Sequence, residues 1–383
     1  MHSDENSNFP HIIHFVDGNS EHIWLEKFIH YLNIRGYSQS LLTVEPSGEL
    51  HREFSTKFPN LQVVNSKRVN AKIFSAIKNL TKQSNSNKNV IVFAMGHRTG
   101  FVSGLVSLFL PISFVLSHTQ QPKYFKIMMR SSKLKGWIHQ GAYRFYLRRA
   151  DLVLSFSMEV RNELTRLKLK ERKILGVSFG IDIEPLKRVL AENVTHRNMT
   201  QDNHSRVLMV GRLAPEKSYS LAFHAFAGFL QVDPTAILTV AGVGPQKDYL
   251  ENLTKTLGIN RNVRFLGFVE NIPRLMLDSD VLLHLSETES FGQIYIEALI
   301  CSLPVICTQT GVAIDFHEQS QGNFYLLHHE TPESVCAELI KFFSNNRMTS
   351  PRTQGITELV EKHSDSFVFS RLDEAFNSLK HQK

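Results

Sequence analysis

The first half of the chain alternates short apolar runs with longer stretches whose apolar residues have helical spacing. The apolar runs are short enough for buried strands and occupy residues 11–16, 37–44, 61–64 and 90–93. A helical pattern over 21–33 follows the first run. This order predicts a parallel sheet covered on both faces, with ligands bound at the carboxyl ends of its strands. Gly18 lies at such an end, where a glycine lets backbone N–H groups approach a phosphate.

A second alternation begins after a polar stretch at 184–205. Its apolar runs predict further strands at 207–210, 238–241, 263–266, 281–285 and 305–308. We therefore predict an α/β chain of two doubly wound, Rossmann-like domains. The predicted divisions are a first domain at 1–185, a linker at 186–205, a second domain at 206–365 and a final helix at 366–383.

Residues 99–117 carry no charge, and this stretch is about as long as a membrane-spanning helix. Pro111 divides it, however, and proline interrupts a helix. The two pieces predict a helix over 100–110 and a buried strand over 112–116, within the first domain rather than in a membrane.

Composition indicates a soluble globular protein, since 42% of the 383 residues are hydrophobic and 21% are charged. A chain of this length favours two domains. The amino terminus is polar and acidic, unlike a secretory signal. The three cysteines lie in apolar or helical surroundings without Cys-x-x-Cys spacing, which is typical of buried thiols in a reducing compartment. We therefore expect a cytoplasmic protein.

The net charge of +7 is unevenly distributed. Residues 122–150 contain eight basic side chains and no acidic one, mixed with aromatic and aliphatic residues. This mixture is typical of a helix resting on an anionic membrane surface, where each basic residue contributes ~1 kcal/mol. A solvated helical face stays open as the alternative. Nucleic acid is the less favoured partner, and we predict that none is bound.

Two carboxylates, Glu289 and Glu297, lie on either side of a predicted loop-to-helix junction, with Phe291 and Gly292 between them. At this spacing one lies in the loop and the other on the second helical turn, so both can face one ligand. A second charged motif, at 211–217, follows the strand at 207–210. Its arginine offers a planar fork and its lysine a point charge, which suit a diphosphate.

Both stretches resemble motifs of the retaining glycosyltransferases of family 4. Residues 289–298 resemble the Glu-x7-Glu motif of that family, and residues 211–217 resemble its Gly-Arg-Leu-x-x-Glu-Lys motif. The resemblance covers most of 205–310 and only isolated points before it, among them a histidine, His118, at the end of the strand at 112–116.

The resemblance implies the GT-B fold, in which two Rossmann-like domains face each other across a cleft and the last helix crosses back to the first domain. It also implies roles for single residues. Glu289 would bind the hydroxyls of the donor sugar and Glu297 the ribose, while Arg212 and Lys217 would bind the diphosphate. His118 would reach the sugar near its reacting carbon. The other implied donor-site residues are Gly18, Gly211, Val269, Ser290, Phe291 and Gly292.

The implied reaction moves a sugar, with retention of configuration, from a UDP- or GDP-linked donor to a glycan or lipid-linked glycan in cell-surface polysaccharide synthesis. No cofactor is expected. No side chain is an obvious nucleophile, so front-face transfer is favoured, in which the leaving phosphate helps to take the acceptor proton. The two cations can do the work of a metal ion, and the prediction of metal independence assumes that no Asp-x-Asp motif is present.

Departures from the family pattern leave two alternatives. Ser302 and Val312 replace glycines of the family, which favours a nucleotide-sugar-binding protein without activity. A GT-B epimerase acting on the donor alone is the other alternative. His97 is a weaker catalytic candidate than His118.

Overall fold

The computed structural model describes residues 9–17, 22–67, 71–84, 89–118, 133–193, 204–289, 291–320, 322–346 and 356–379. The chain forms two compact units. The first comprises Met1–Gly180 together with Ser366–Lys383, and the second comprises Ile181–Asp365. Each unit contains one parallel sheet, as the strand and helix pattern predicts.

The sheet of the first unit has seven parallel strands. They are β1 (His11–Asp17), β2 (Gln39–Val44), β3 (Gln62–Ser66), β4 (Val90–Met95), β5 (Ile112–His118), β6 (Leu152–Ser155) and β7 (Ile174–Gly176). Their order in the sheet is β3-β2-β1-β4-β5-β6-β7. The chain therefore reverses its direction across the sheet between β1 and β4, the central strands.

In the described part of the first unit, six helices lie between successive strands. They are α1 (His22–Ile34), α2 (Glu49–Lys57), α3 (Ala71–Gln83), α4 (His97–Val106), α5 (Lys133–Arg149) and α6 (Met158–Arg166). Ser157 caps α6, its hydroxyl accepting the N–H of Val160. The central strands β1 and β4 are mostly apolar because both faces of the sheet are buried, and Ile13, Phe15 and Val92 lie in the core.

The second unit has a six-stranded parallel sheet. Its strands are β8 (Arg206–Val210), β9 (Ile237–Ala241), β10 (Val263–Gly267), β11 (Val281–His284), β12 (Val305–Cys307) and β13 (Phe324–Leu326). Its helices are α7 (Ile183–Asn193), α8 (Tyr219–Phe229), α9 (Lys247–Thr256), α10 (Ile272–Leu277), α11 (Gln293–Ile300), α12 (Ala313–Gln319), α13 (Pro332–Asn346) and α14 (Ile356–Glu361). Of its cysteines, Cys301 and Cys307 are buried free thiols, whereas Cys336 is half-buried.

The last helix, α15 (Asp365–Ser378), packs on the first unit, as the fold prediction requires. The Phe369 ring lies 5.2 Å from that of Phe28, and the Phe376 ring lies 5.5 Å from that of Phe93. A polar contact reinforces this packing, since the buried Asp373 pairs with Arg35 at 2.9 Å. The apolar face of a terminal helix thus completes a core built from the start of the chain.

The uncharged stretch at 99–117 is divided between a helix and a strand, as Pro111 predicts. Helix α4 ends at Val106, and β5 begins at Ile112 in the centre of the sheet. Within the described ranges, no helix has the length and apolar character needed to cross a membrane.

The segment at 186–205, expected to be a linker, begins as a helix. Helix α7 extends over Ile183–Asn193, with Ile183 and Leu186 buried and Glu184 on the exposed side. The polar composition of this stretch reflects the outer side of the helix. Residues 194–203 lie outside the described part of the chain.

Candidate functional site

The second unit has its switch point between β8 and β11. The chain adds β9 and β10 on one side of β8, and β11 then pairs with the other side. In such a sheet the crevice for a ligand opens outside the carboxyl ends of the strands at the reversal. Gly211 follows β8, and Glu289 follows β11 by a short loop. Two motifs that are distant in sequence therefore share one edge of the sheet.

Two side chains hold Glu289 at this edge. Lys217 Nζ donates to Glu289 Oε2 at 2.6 Å, and His284 Nε2 lies 3.4 Å from the same oxygen. The Lys217 and Glu289 side chains are 20% and 17% exposed, and His284 is buried. Because an ionised carboxylate only accepts hydrogen bonds, His284 carries its proton on Nε2 here. Among the described residues, both of these partners contact Oε2, and none forms a hydrogen bond with Glu289 Oε1.

The surroundings of Glu289 fix its charge. Burial alone would raise its pKa, but the hydrogen bond from His284 and the charge of Lys217 outweigh burial and hold the pKa at about 2. Burial lowers the pKa of His284 below its ordinary value, so its imidazole is neutral at pH 7. A carboxylate with so low a pKa is a poor acid and a poor base at neutral pH. Glu289 is instead suited to accept hydrogen bonds from hydroxyl groups.

The loop after β8 is tied to the loop after β11 by hydrogen bonds. The carbonyl of Glu216 accepts the N–H of Glu287 at 2.8 Å and the hydroxyl of Ser286 at 3.3 Å. The Tyr219 hydroxyl donates to the carbonyl of Gly211 at 2.9 Å, at the start of the same loop. These bonds set the position from which Lys217 reaches Glu289.

Arg212, the other predicted diphosphate ligand, points elsewhere. Its side chain is 68% exposed and pairs with Glu216 at 2.5 Å, one helical turn further along the chain. The structure therefore brings Lys217, but not Arg212, to Glu289. An exposed ion pair of this kind contributes ~0–1 kcal/mol, so Arg212 can exchange its partner at little cost.

Two glycines allow the loop that carries Glu289 to pack closely. Gly292, immediately before α11, has φ +91°, and Gly311 has φ +59°, both in the left-handed region. A Cβ on Gly311 would lie 2.6 Å from the carbonyl oxygen of Phe291, and one on Gly292 would lie 2.6 Å from the Tyr295 ring. The Phe291 carbonyl also accepts the N–H of Val312 at 3.1 Å. Phe291 and Gly292 thus position the loop by their backbone.

Glu297 lies on the second turn of α11, as its spacing from Glu289 predicts. Its side chain is half-buried, and among the described residues no cation pairs with it. Burial raises the pKa of Glu297 above its ordinary value. A partly buried carboxylate without a partner is costly unless a ligand satisfies it.

The structure describes two of the three remaining predicted donor-site residues of this unit. Gly211 lies against the end of β9, because a Cβ on Gly242 would come within 1.9 Å of the Gly211 carbonyl oxygen. Val269 is half-buried and follows β10. Ser290 lies outside the described residues. The roles of all three remain predictions.

In the first unit, Gly18 lies outside the described residues, and His118 is the last residue of β5 with its side chain likewise outside the description. His97 opens α4 and belongs to a hydrogen-bonded chain. Its Nδ1 lies 2.9 Å from the Tyr146 hydroxyl oxygen, and its Nε2 lies 3.0 Å from His139 Nδ1. Burial first, and then the neighbouring His139 and Arg98, lower the pKa of His97 to about 4. His97 is therefore neutral at pH 7.

One assumption about metal ions is wrong, because the chain contains an Asp-x-Asp triplet, Asp278-Ser279-Asp280. It precedes β11, at the sheet edge opposite to the one that carries Glu289. Asp280 accepts the N–H of Arg206 at 2.8 Å, and Asp278 pairs with Arg274 at 3.5 Å. In the described part of the chain, no three His, Cys, Asp or Glu side chains are grouped to hold a metal ion.

Sequence reasoning missed His284 as a member of the site. A histidine at the carboxyl end of a central strand, five residues before Glu289, was the available signal. A buried hydroxyl group was also missed, since Thr308 donates to the Ser286 carbonyl at 2.6 Å and links β12 to the loop after β11.

Known proteins resemble both the sequence and the fold. Residues 194–358 match the family model of glycosyl transferases group 1. The N-acetyl-alpha-D-glucosaminyl L-malate synthase of Bacillus anthracis is 32% identical over 177 residues, which are 44% of each chain. The 2-deoxystreptamine N-acetyl-D-glucosaminyltransferase of Streptomyces fradiae is 29% identical over 56% of this chain and 53% of its own. The chain thus spans about half the length of these relatives.

The fold comparison extends over nearly the whole chain. The crystal structure of Anabaena Alr3699/HepE in complex with UDP superposes with a TM-score of 0.74 at 17% identity, covering 96% of this chain and 99% of that one. At this identity the likeness establishes the fold alone. The second unit therefore resembles the glycosyl transferases group 1 over most of its length, and the chain as a whole has the GT-B fold.

Proposed function

We propose that this chain is a retaining glycosyltransferase that moves a sugar from a UDP- or GDP-sugar to a hydroxyl of a glycan or lipid-linked glycan, in the synthesis of a cell-surface polysaccharide. The observation that carries the proposal is the Lys217–Glu289–His284 cluster at the β8 and β11 edge. A largely buried cation beside an ionised carboxylate, at a topological switch point, suits a ligand that combines phosphates with hydroxyls. The match to group 1 over this unit supports the same assignment.

Each cluster member has a proposed role. Glu289 Oε1 accepts hydrogen bonds from donor sugar hydroxyls, while Oε2 stays bound to Lys217 and His284. Lys217 and Arg212 stabilise the departing diphosphate, Arg212 after leaving Glu216. The half-buried Glu297 accepts from the ribose hydroxyls, which satisfies its carboxylate. Charge develops on the phosphate as the bond breaks, so fixed cations stabilise the transition state more than the ground state.

The proposed step balances without a protein nucleophile. The bond between the anomeric carbon and the phosphate oxygen breaks, and a bond to the acceptor oxygen forms on the same face. The acceptor proton passes to a phosphate oxygen, so the products are the glycoside and the protonated nucleoside diphosphate. The low pKa of Glu289 agrees with a role that transfers no proton. No metal ion and no further cofactor is required.

The first experiment incubates the protein with a panel of UDP- and GDP-sugars and acceptors, and follows nucleoside diphosphate release and the anomeric configuration of the product by NMR. We expect a product with the configuration of the donor, in the presence of chelator. An inverted product would refute retention, and activity abolished by chelator and restored by Mg2+ would refute metal independence.

The same NMR experiment separates the alternative functions. An epimerase would change the donor sugar in the absence of any acceptor. An inactive binding protein would bind the donor and release no nucleoside diphosphate with any acceptor. The two relatives are named for different acceptors, 2-deoxystreptamine and L-malate, so the acceptor proposed here rests on the basic and apolar segment of this chain.

A further inference from the structure

Helix α5 is apolar on two opposite sides. Its inner side packs in the core of the first unit through Tyr143, Tyr146 and Leu147. Its outer side exposes Leu134, Trp137 and Ile138, which are 72%, 70% and 63% exposed and have the i, i+3, i+4 spacing of one helical stripe. A soluble helix normally presents polar residues on the side away from the core. We therefore expect the outer side of α5 to contact a binding partner.

Helix α4 extends the same apolar surface. Phe101, Leu105 and Leu108 are 37%, 40% and 50% exposed, the first two on one side of the helix and Leu108 in the turn just after it. The Phe101 ring lies 6.0 Å from that of the half-buried Phe145 on α5, so the two stripes lie on neighbouring helices. We define the outer face as Phe101, Leu105, Leu108, Leu134, Trp137 and Ile138. Single exposed apolar residues are normal on soluble proteins, but several on two neighbouring helices mark an interaction surface.

The charges on the part of the chain that carries the outer face are all positive. Residues 54–150 contain sixteen lysines and arginines and no aspartate or glutamate, although acidic residues outnumber basic ones in the rest of the chain. Arg144 and Arg148 are exposed on one flank of the α5 stripe. Arg149, on the other flank, donates to the carbonyl of Ser107 at 3.0 Å, beside the end of α4. The two helices that form the face thus combine exposed apolar side chains with cations and carry no acidic residue.

This combination selects among possible partners. A second copy of the chain would place cations against cations across a symmetric interface, which is unfavourable. Nucleic acid would use the cations and aromatic rings but not the aliphatic side chains Leu105, Leu108 and Leu134. An anionic lipid surface uses both, since aliphatic and tryptophan side chains enter the boundary between headgroups and acyl chains while arginines contact the phosphates.

We propose that the outer face of α4 and α5 docks the protein on an anionic lipid bilayer. The assignment goes beyond sugar transfer and does not rest on it, because binding to lipid is measured without a donor or acceptor. It places the contact on described side chains of two helices, and residues 119–132 are not needed for it.

Trp137 provides a direct reporter. The chain has two tryptophans, and the other, Trp24, is 4% exposed in the core of the first unit. The full-length protein is titrated with vesicles of phosphatidylcholine alone, or with a third of phosphatidylglycerol. We expect a blue shift of tryptophan emission and cosedimentation with the anionic vesicles only. The blue shift should be absent from Trp137→Phe, whose ring preserves the apolar contact.

Two double variants test the cations and the apolar side chains of the face separately. Arg144→Gln with Arg148→Gln should weaken partition to anionic vesicles about 30-fold, at ~1 kcal/mol for each cation. Leu134→Gln with Ile138→Gln should weaken it by at least about tenfold through lost apolar burial. The matched controls change exposed residues of the second unit, Lys255→Gln with Arg261→Gln and Val232→Gln with Val243→Gln. They should bind like the unchanged protein, and circular dichroism verifies that every variant is folded.

The proposal is overturned by any of four results. These are equal binding to both vesicle types, binding that is unchanged in the outer-face variants, loss of binding in the controls as well, and binding to duplex RNA or DNA that competes with the vesicles through the same residues. A dimer in light scattering that dissociates on Leu134→Gln with Ile138→Gln would assign the face to a second copy and would also overturn it.

Discussion

The two units have the same kind of parallel sheet with one switch point each, yet the two switch points differ in chemistry. In the second unit, Lys217 and Glu289 form an ion pair with little exposure, and Glu289 is held ionised. In the first unit, the chain beside the end of β4 contains His97, His139 and Tyr146 joined by hydrogen bonds, and His97 is held neutral. The topology sets where ligands bind, whereas the charges set what is bound. The ion pair of the second edge suits the phosphate donor proposed above, whereas the first edge joins the neutral His97 cluster to a carboxylate, Asp17, at the end of β1.

The largest effect is expected from Lys217→Met, which removes the cation from the charged edge. Transfer should fall about 10²- to 10³-fold, as for the loss of one group that stabilises developing charge. Lys247→Met is the matched control, because Lys247 is an exposed lysine whose partner, Glu251, lies 3.8 Å away. Steady-state kinetics with the accepted donor measure both. Equal losses of transfer activity in the two variants would show that Lys217 has no specific role in the reaction.

The second test concerns the backbone that positions Glu289. Gly311→Ala should destabilise the second unit by about 3 kcal/mol or more, because its Cβ meets the Phe291 carbonyl in addition to the strain of a positive φ. Gly258→Ala is the control, since Gly258 has φ +71° and nothing within 4 Å of the added Cβ, so it should cost only ~1–2 kcal/mol. Urea denaturation of both variants measures the difference. Equal costs would show that close packing around Glu289 is unimportant.

The third test uses pH. A carboxylate whose pKa is lowered in the folded protein stabilises it above the unfolded pKa, and this contribution is lost as the pH falls toward the folded value. With a folded pKa of about 2, Glu289 should lose about 2 kcal/mol of stabilisation between pH 7 and pH 3. The unfolding free energy of Glu289→Gln should therefore depend less on pH over this range than that of the unchanged protein. Identical pH dependences would contradict the charge state given to Glu289.

The smallest effect is expected at the His97 cluster of the first unit. His97→Gln keeps a hydrogen-bonding side chain and should change stability by ~1 kcal/mol. In the unchanged protein the His97 ring should titrate near pH 4, against an ordinary value of 6.5, as followed by NMR. A midpoint near 6.5 would mean that this edge carries charge at mildly acidic pH, and the contrast between the two units would then be weaker.

The sequence predicted the sheets and the position of Glu297 well, because buried parallel strands and a helical turn leave periodic patterns. The position of Pro111 correctly predicted that residues 99–117 are divided between a helix and a strand. The sequence did not predict the helix over Ile183–Asn193. Only two of its described apolar residues, Ile183 and Leu186, are buried, and the polar residues around them gave no clear helical pattern. The sequence could not predict the pairing of Lys217 with Glu289, since a contact between loops that are distant in sequence depends on the three-dimensional course of the backbone. The partners of Arg212 and His284 are close in sequence, and those two contacts were missed because spacing alone does not show which way a loop side chain points.

The central claim is that the edge formed by β8 and β11 binds the diphosphate of a nucleotide sugar. Calorimetric titration with UDP and GDP tests it most directly, on the unchanged protein, Lys217→Met and Lys247→Met. We predict that one of the two nucleotides binds, that Lys217→Met weakens this binding at least about tenfold through loss of a charge-assisted contact, and that Lys247→Met leaves it unchanged. Binding of neither nucleotide, or equal affinity in all three proteins, would contradict the account.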